Sequence, residues 1–146
     1  MGTSIRICVA LIALTVSGSA VAESLQGTLY KNPQCTCCEG HADYLRENGI
    51  ELQIRTVPNL ERLTSDLGLP ADYHGCHTIV LSGYKIAGHV SVELIRKLLA
   101  ERPADVVGIS LKGMPVGVPG MPGKKTGDYE VYAVHKDGTA TVWGMQ

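Results

Sequence analysis

Apolar and polar positions alternate from Leu25 to Lys31, with Leu25, Gly27 and Leu29 on one side and Gln26, Thr28 and Tyr30 on the other. A two-residue period predicts a strand. The period lengthens over Cys38–Asn48, where Ala42 and Leu45 share one face among polar neighbours and Gly49 supplies a stop. That predicts a short helix. Alternation returns over Glu51–Val57, with Leu52, Ile54 and Thr56 on one side, and Pro58 ends it. A strand–helix–strand unit favours parallel pairing through a right-handed crossover. Asn59 reads as the N-cap of a second helix carrying Leu60, Leu63 and Leu67, closed by Gly68 and Pro70. Thr78–Leu81 and Tyr84–Ala87 flank Ser82-Gly83 and predict a hairpin. Ser91 reads as the cap of a third helix, whose stripe of Val92, Ile95 and Leu99 is widened by Leu94 and Leu98 before Pro103.

The resulting order, β-α-β-α-β-β-α, is that of an α/β thioredoxin-like domain with a cysteine cluster where the first strand meets the first helix. The segment 113–123, GMPVGVPGMPG, interrupts the pattern. Its glycines and prolines predict neither a helix nor a central strand. Tyr129–His135 and Thr139–Trp143 then flank Lys136-Asp137-Gly138, which predicts a C-terminal β-hairpin.

The N-terminus follows another rule. Arg6 precedes the apolar run Ile7–Val16, and Ala20-Val21-Ala22 matches an A-x-A cleavage site. Residues 1–22 are therefore expected to be a secretory signal peptide, too short for an anchor and removed to leave one domain over 23–146. Cys8 would leave with it. The net charge of −1 and the lack of a basic run give no footprint for nucleic acid or a membrane surface. No later apolar stretch is long enough to span a bilayer. The expected location is the periplasm.

Export changes how the cysteines read, because compartments outside the cytoplasm favour disulfides. Residues 23–146 keep Cys35, Cys37, Cys38 and Cys76. Cys37 and Cys38 are neighbours, an awkward arrangement for two structural disulfides. Cys35 and Cys38 form a C-x-x-C at a helix start, where backbone N–H groups favour thiolate. Thiolate serves both redox exchange and metal binding. Cys76-His77-Thr78 stands where a thioredoxin-type oxidoreductase would carry a proline, which weakens the reading of Cys35 as nucleophile and Cys38 as resolving thiol.

His89 is expected at the same end of the sheet as Cys76. His41, one turn into the first helix, and His74, in the loop before Cys76, are each open as ligands, with a surface role the leading expectation for both, and His135 is expected in a structural or exposed place. Met114 and Met121 sit in the glycine–proline loop, away from any expected core. A thioether is a soft ligand that favours Cu(I), whereas zinc sites rarely use it. The donor set therefore points to copper ahead of zinc.

Four motifs occur in order: Pro33-x-Cys35-x-Cys37-Cys38, Cys76-His77-Thr78, Gly88-His89-Val90, and Gly113-Met114-Pro115-x-Gly117-x-Pro119-Gly120-Met121. Together they resemble the CopG-type periplasmic copper-resistance proteins, from about Leu25 to Trp143. The resemblance implies a thioredoxin-like domain that binds several copper ions and changes their oxidation state. It implies Cys35, Cys37, Cys38, Cys76, Met114 and Met121 as ligands, with His77 and His89 joining them. Expected partners are copper ions and a periplasmic chaperone, efflux or electron-transfer protein. Thr36 and Val118 depart from the family pattern, which favours glycine and a small polar residue there. Neither change removes a donor atom.

Overall fold

A computed structural model describes residues 25–146, so the expected signal segment lies outside the described residues. Strand β1 (Leu25–Lys31) leads through helix α1 (Cys37–Glu47) to β2 (Ile50–Thr56), and the two strands pair in parallel. Helix α2 (Leu60–Asp66) and a 3-10 turn at Ala71–Tyr73 lead to β3 (His77–Leu81), which lies antiparallel on the other side of β1. Strand β4 (Tyr84–Ala87) folds back on β3. Their hairpin turn has positive φ at both Ser82 (49°) and Gly83 (88°), matching the twist of the flanking strands.

Helix α3 (Val92–Glu101) crosses to β5 (Val106–Leu111), which runs parallel to β4. Strands β6 (Glu130–His135) and β7 (Ala140–Met145) complete the sheet as the expected antiparallel hairpin. The strand order is β2-β1-β3-β4-β5-β6-β7. The mixed α/β class and the order of elements through α3 match the sequence pattern. The segment 112–129 contains no helix or strand.

Strand β5 is an addition that the pattern did not suggest. All its residues but Val107 are buried, so the alternation that marks a one-sided strand is missing.

The main core joins the sheet to α1 and α3. Leu29, Leu45, Ile79, Ile86, Ile95, Leu98 and Ile109 are each fully buried within it. Burial of such a side chain contributes about 1.5–3 kcal/mol relative to exposure. Val118 from the long loop belongs to the same cluster, which gives this apolar residue a packing role.

Caps set two of the helices. Asn59 accepts a hydrogen bond from the Arg62 amide at 2.9 Å, as expected for an N-cap. Ser91 precedes α3 but its side chain makes no capping bond. Instead the Gln146 side-chain oxygen accepts from the Ser91 amide at 2.7 Å, and the Tyr44 hydroxyl accepts from the Val92 amide at 3.2 Å. The C-terminus and α1 thus supply what the helix start needs.

Candidate metal centre

Strand register gathers the sequence motifs at one end of the sheet. Lys31, the last residue of β1, pairs with His77, the first of β3. The cysteine segment therefore leaves the sheet beside the point where Cys76 enters it. The Gly88 amide donates to the His77 carbonyl at 3.2 Å, so His89 follows β4 at that same end. Backbones approach closely here. A Cβ on Gly75 would lie 2.7 Å from the Gly88 Cα, and one on Gly88 would meet the Leu111 carbonyl oxygen at 2.6 Å. Gly88 also has φ of +76°, a conformation that favours glycine.

The thiols occupy the turn and the first residues of α1. Thr36 is the N-cap, and Cys37 and Cys38 open the helix. This is one residue earlier than the pattern suggested for the helix, with Cys35 just outside it. Lys31 pins the segment: its buried ammonium donates to the Cys35 carbonyl and to Glu39 Oε1, both at 2.9 Å.

Cys35 and Cys38 are joined as a disulfide, while Cys37 and Cys76 are free. Cys37 Sγ lies 3.6 Å from Cys35 Sγ. The sulfurs of Cys35, Cys37, Cys38 and Cys76 all lie within 4.8 Å of one another. Burial, followed by the neighbouring Cys37, pushes the Cys76 thiol up to about 12.

A second donor group shares Cys76. Donor atoms of Cys76, His77 and His89 also lie within 4.8 Å of one another. Cys76 Sγ is 3.3 Å from His77 Nδ1. Both imidazoles are fully buried. The Pro119 carbonyl accepts from His89 Nδ1 at 2.7 Å, which leaves Nε2 with a lone pair. That nitrogen is buried without a hydrogen-bond partner among the described residues. An orphaned buried acceptor next to a thiol fits a site meant for a metal ion.

His41 corrects the sequence reading. Expected at the surface, it is fully buried on the face of α1 shared by Cys38, Ala42 and Leu45. Its Nδ1 meets His77 Nε2 at 2.8 Å, and the Val90 carbonyl accepts from its Nε2 at 2.9 Å. Its ring centroid is 4.9 Å from those of both His77 and His89.

Burial favours the neutral form of all three imidazoles. Burial, opposed by the Val90 hydrogen bond, lowers His41 to about 3. Burial, with His41 and His89 nearby, holds His77 well below the ordinary histidine value. Burial also lowers His89, against the Pro119 bond. Neutral imidazole is the metal-binding form.

Two solved structures of copper resistance protein CopG, forms 2 and 1, superpose on this chain with a TM-score of 0.78 and 33% sequence identity. The match covers 85% of this chain and 99% and 98% of those chains. The chain belongs to the CopG-type copper-resistance family. Residues 73–121 also match the family model described as a protein of unknown function, DUF411. No curated protein sequence matches the chain. The family-model segment holds Cys76, His77, His89, Met114 and Met121, and the thiol turn at 35–38 lies before it.

In this CopG-type chain the long loop closes over the histidines. Besides the Pro119 bond to His89, Gly120 packs on α1, where a Cβ on Gly40 would lie 2.8 Å from the Gly120 carbonyl oxygen. Met121, next along, packs half-buried against the same core as Cys35, Cys37 and Cys76. Met114 is 57% exposed, in a groove with Lys112, Tyr129 and Tyr132.

The remaining histidines have other work. His74 Nε2 donates to the Leu69 carbonyl at 2.9 Å. His135 bridges Asp105 at 2.9 Å and Thr141 at 3.0 Å. Lys31 and His41 are the site residues that sequence reasoning passed over. The spacing 38, 41, 42, 45 marked His41 as inward-facing. Lys31 extended the buried side of β1 beyond Leu29.

Proposed function

We propose that this chain is an exported copper-binding protein of copper resistance and homeostasis. It holds one or more Cu(I) ions through Cys35, Cys37, Cys38, Cys76, His77 and His89, with the loop methionines Met114 and Met121 supplying soft donors. One observation carries the reading: two donor groups converge on Cys76, and one of them contains a buried imidazole nitrogen with no other partner. A shared thiolate can bridge two ions, so a small number of side chains can serve more than one metal. Thiolate, imidazole and thioether are together a soft donor set suited to Cu(I). Export by the N-terminal signal would place the site in the periplasm, where copper ions and a chaperone, efflux or electron-transfer protein would meet it.

Cu(I) must displace the proton held on Cys76. Metal uptake should therefore release protons and weaken as pH falls. Reduction of the Cys35–Cys38 disulfide frees two further sulfurs, so the full donor set exists only in the reduced protein. Mixed nitrogen and sulfur donors also suit exchange between Cu(I) and Cu(II), and we extend the proposal to such a redox role. That extension fails if the loaded protein cannot change copper's oxidation state with any suitable donor or acceptor. The binding reading is tested by anaerobic titration of the reduced protein with Cu(I) and elemental analysis of the product. At least one tightly held copper per chain is expected, and less than one refutes the reading.

The disulfide favours a second reading, a thioredoxin-like thiol–disulfide oxidoreductase. Cys35 is half-buried, as an attacking thiol would be, and Cys38 is fully buried, as a resolving thiol would be. This reading expects metal-free insulin reduction that is lost in Cys35→Ser and unchanged in Met121→Leu. It leaves the orphaned His89 nitrogen and the nearby Cys37 without a role.

A further inference from the structure

His41 is absent from every motif that marks the copper site, yet its ring packs against both His77 and His89, with centroids 4.9 Å from each. Its hydrogen bonds fix which nitrogen of His77 is available. A carbonyl oxygen only accepts, so the 2.9 Å bond to Val90 places the His41 hydrogen on Nε2. A neutral imidazole then carries its lone pair on Nδ1. That atom lies 2.8 Å from His77 Nε2, which must therefore be the donor. His77 in turn carries its lone pair on Nδ1, the nitrogen 3.3 Å from Cys76 Sγ.

His89 is fixed the other way round. Pro119 holds the hydrogen on its Nδ1 and leaves Nε2 open. The two histidines thus present opposite nitrogens, each set by a carbonyl on a different element. Val90 acts on His77 through His41 from the connection between β4 and α3, and Pro119 acts on His89 from the long loop.

We infer that His41 is a positioning residue that relays the Val90 carbonyl to His77, so that His77 meets copper through Nδ1 while His89 meets it through Nε2. The inference rests on the copper reading above. Hydrogen bonding to the far nitrogen of a metal-bound imidazole fixes its tautomer and orientation and raises its basicity, and losing such a partner typically costs 10–100-fold in metal affinity. In His41→Phe the ring volume remains but the acceptor is gone, so the buried His77 N–H loses its partner. In His41→Asn the side-chain oxygen stands near the position of Nδ1 and keeps an acceptor for His77.

The test combines two readouts on the full-length reduced protein under anaerobic conditions. Imidazole 15N–1H correlation spectra of the metal-free protein report the tautomers, and competition with a chromophoric Cu(I) chelator reports affinity. We expect His77 as the Nε2–H tautomer and His89 as the Nδ1–H tautomer. His41→Phe should weaken Cu(I) binding by about 10–100-fold and mix the His77 tautomers, and His41→Asn should recover most of both. A His77 Nδ1–H tautomer in the wild-type protein overturns the relay, and that result needs no variant to fold. So does a folded His41→Phe protein with unchanged tautomer and affinity. If His41→Phe fails to fold, the wild-type spectrum and His41→Asn decide. Failure of copper uptake with the Nε2–H tautomer present would refute the copper reading, whereas copper uptake with the wrong tautomer would refute the relay alone.

Discussion

The thiol group and the imidazole group share Cys76 but are built differently. Cys35 lies in a turn and Cys37 and Cys38 open α1, with two of the four sulfurs tied in a disulfide. Their availability changes with oxidation. His77 and His89 extend from strand ends, are fully buried, and are oriented by hydrogen bonds to groups on other elements. Their availability is set by the fold. The first group responds to redox conditions and the second holds its arrangement, and Cys76 couples them. A centre of this kind can gain or lose sulfur donors without rebuilding the whole site.

The sharpest way to break the comparison is to remove the coupling atom. Cys76→Ser should weaken Cu(I) binding by more than about 100-fold, beyond the loss typical of an indirect partner. Cys37→Ser, which affects one group only, should cost less. Competition with a chromophoric Cu(I) chelator measures both.

Oxidation should separate the groups without mutation. Protein retaining the Cys35–Cys38 disulfide should bind fewer copper ions than reduced protein, while the His77 and His89 tautomers stay the same. Elemental analysis and imidazole NMR on the two forms check this. Equal copper content in both forms would remove Cys35 and Cys38 from the site.

Acid should act on the imidazole group. The unfolded chain protonates its histidines near 6.5, while folded His41 resists protonation until about 3. At this group the unfolded state thus binds more protons between these values, so His41 contributes a loss of folding stability as pH drops below about 6.5. The loss from His41 alone is about 1.4 kcal/mol per pH unit within that window. Urea unfolding of metal-free protein between pH 7 and 4.5 measures the slope, and His41→Phe should reduce it.

Backbone closeness gives a smaller effect. Gly88→Ala should destabilise the protein by about 1–3 kcal/mol, because φ is positive and a Cβ would crowd the Leu111 carbonyl. It should also displace His89 and lower copper affinity. The smallest effects belong to the loop thioethers. Met121→Leu should weaken Cu(I) binding more than Met114→Leu, since Met121 packs beside the cysteine core and Met114 is exposed. The same chelator competition ranks them.

Much of this arrangement was legible in the residues because it depends on strand ends. Once β1 is placed from its alternation, and β3 and β4 from the Ser82-Gly83 turn they flank, Cys76 and His89 fall beside the cysteine turn. The other features depend on tertiary contacts. Strand β5 is buried almost throughout and carries Gly108, so its apolar run lacked a diagnostic period. His41 followed the inward spacing of α1, but a histidine there looks polar until Val90 and His77 satisfy it. Lys31 continued the buried side of β1 as a charged residue, and its partners Glu39 and Cys35 arise only when the turn folds back. Met114 and Met121 share a sequence echo yet differ in exposure, because Gly120 packs on α1 while Met114 lies beyond the end of β5.

The central claim is that thiolate and imidazole donors meet on the same copper centre through Cys76. X-ray absorption at the copper edge of the reduced, Cu(I)-loaded protein tests it most directly. Wild-type protein should show both sulfur and imidazole nitrogen around copper, and Cys76→Ser should lose the mixed environment. A coordination shell with no sulfur, or one that Cys76→Ser leaves unchanged, would contradict the account.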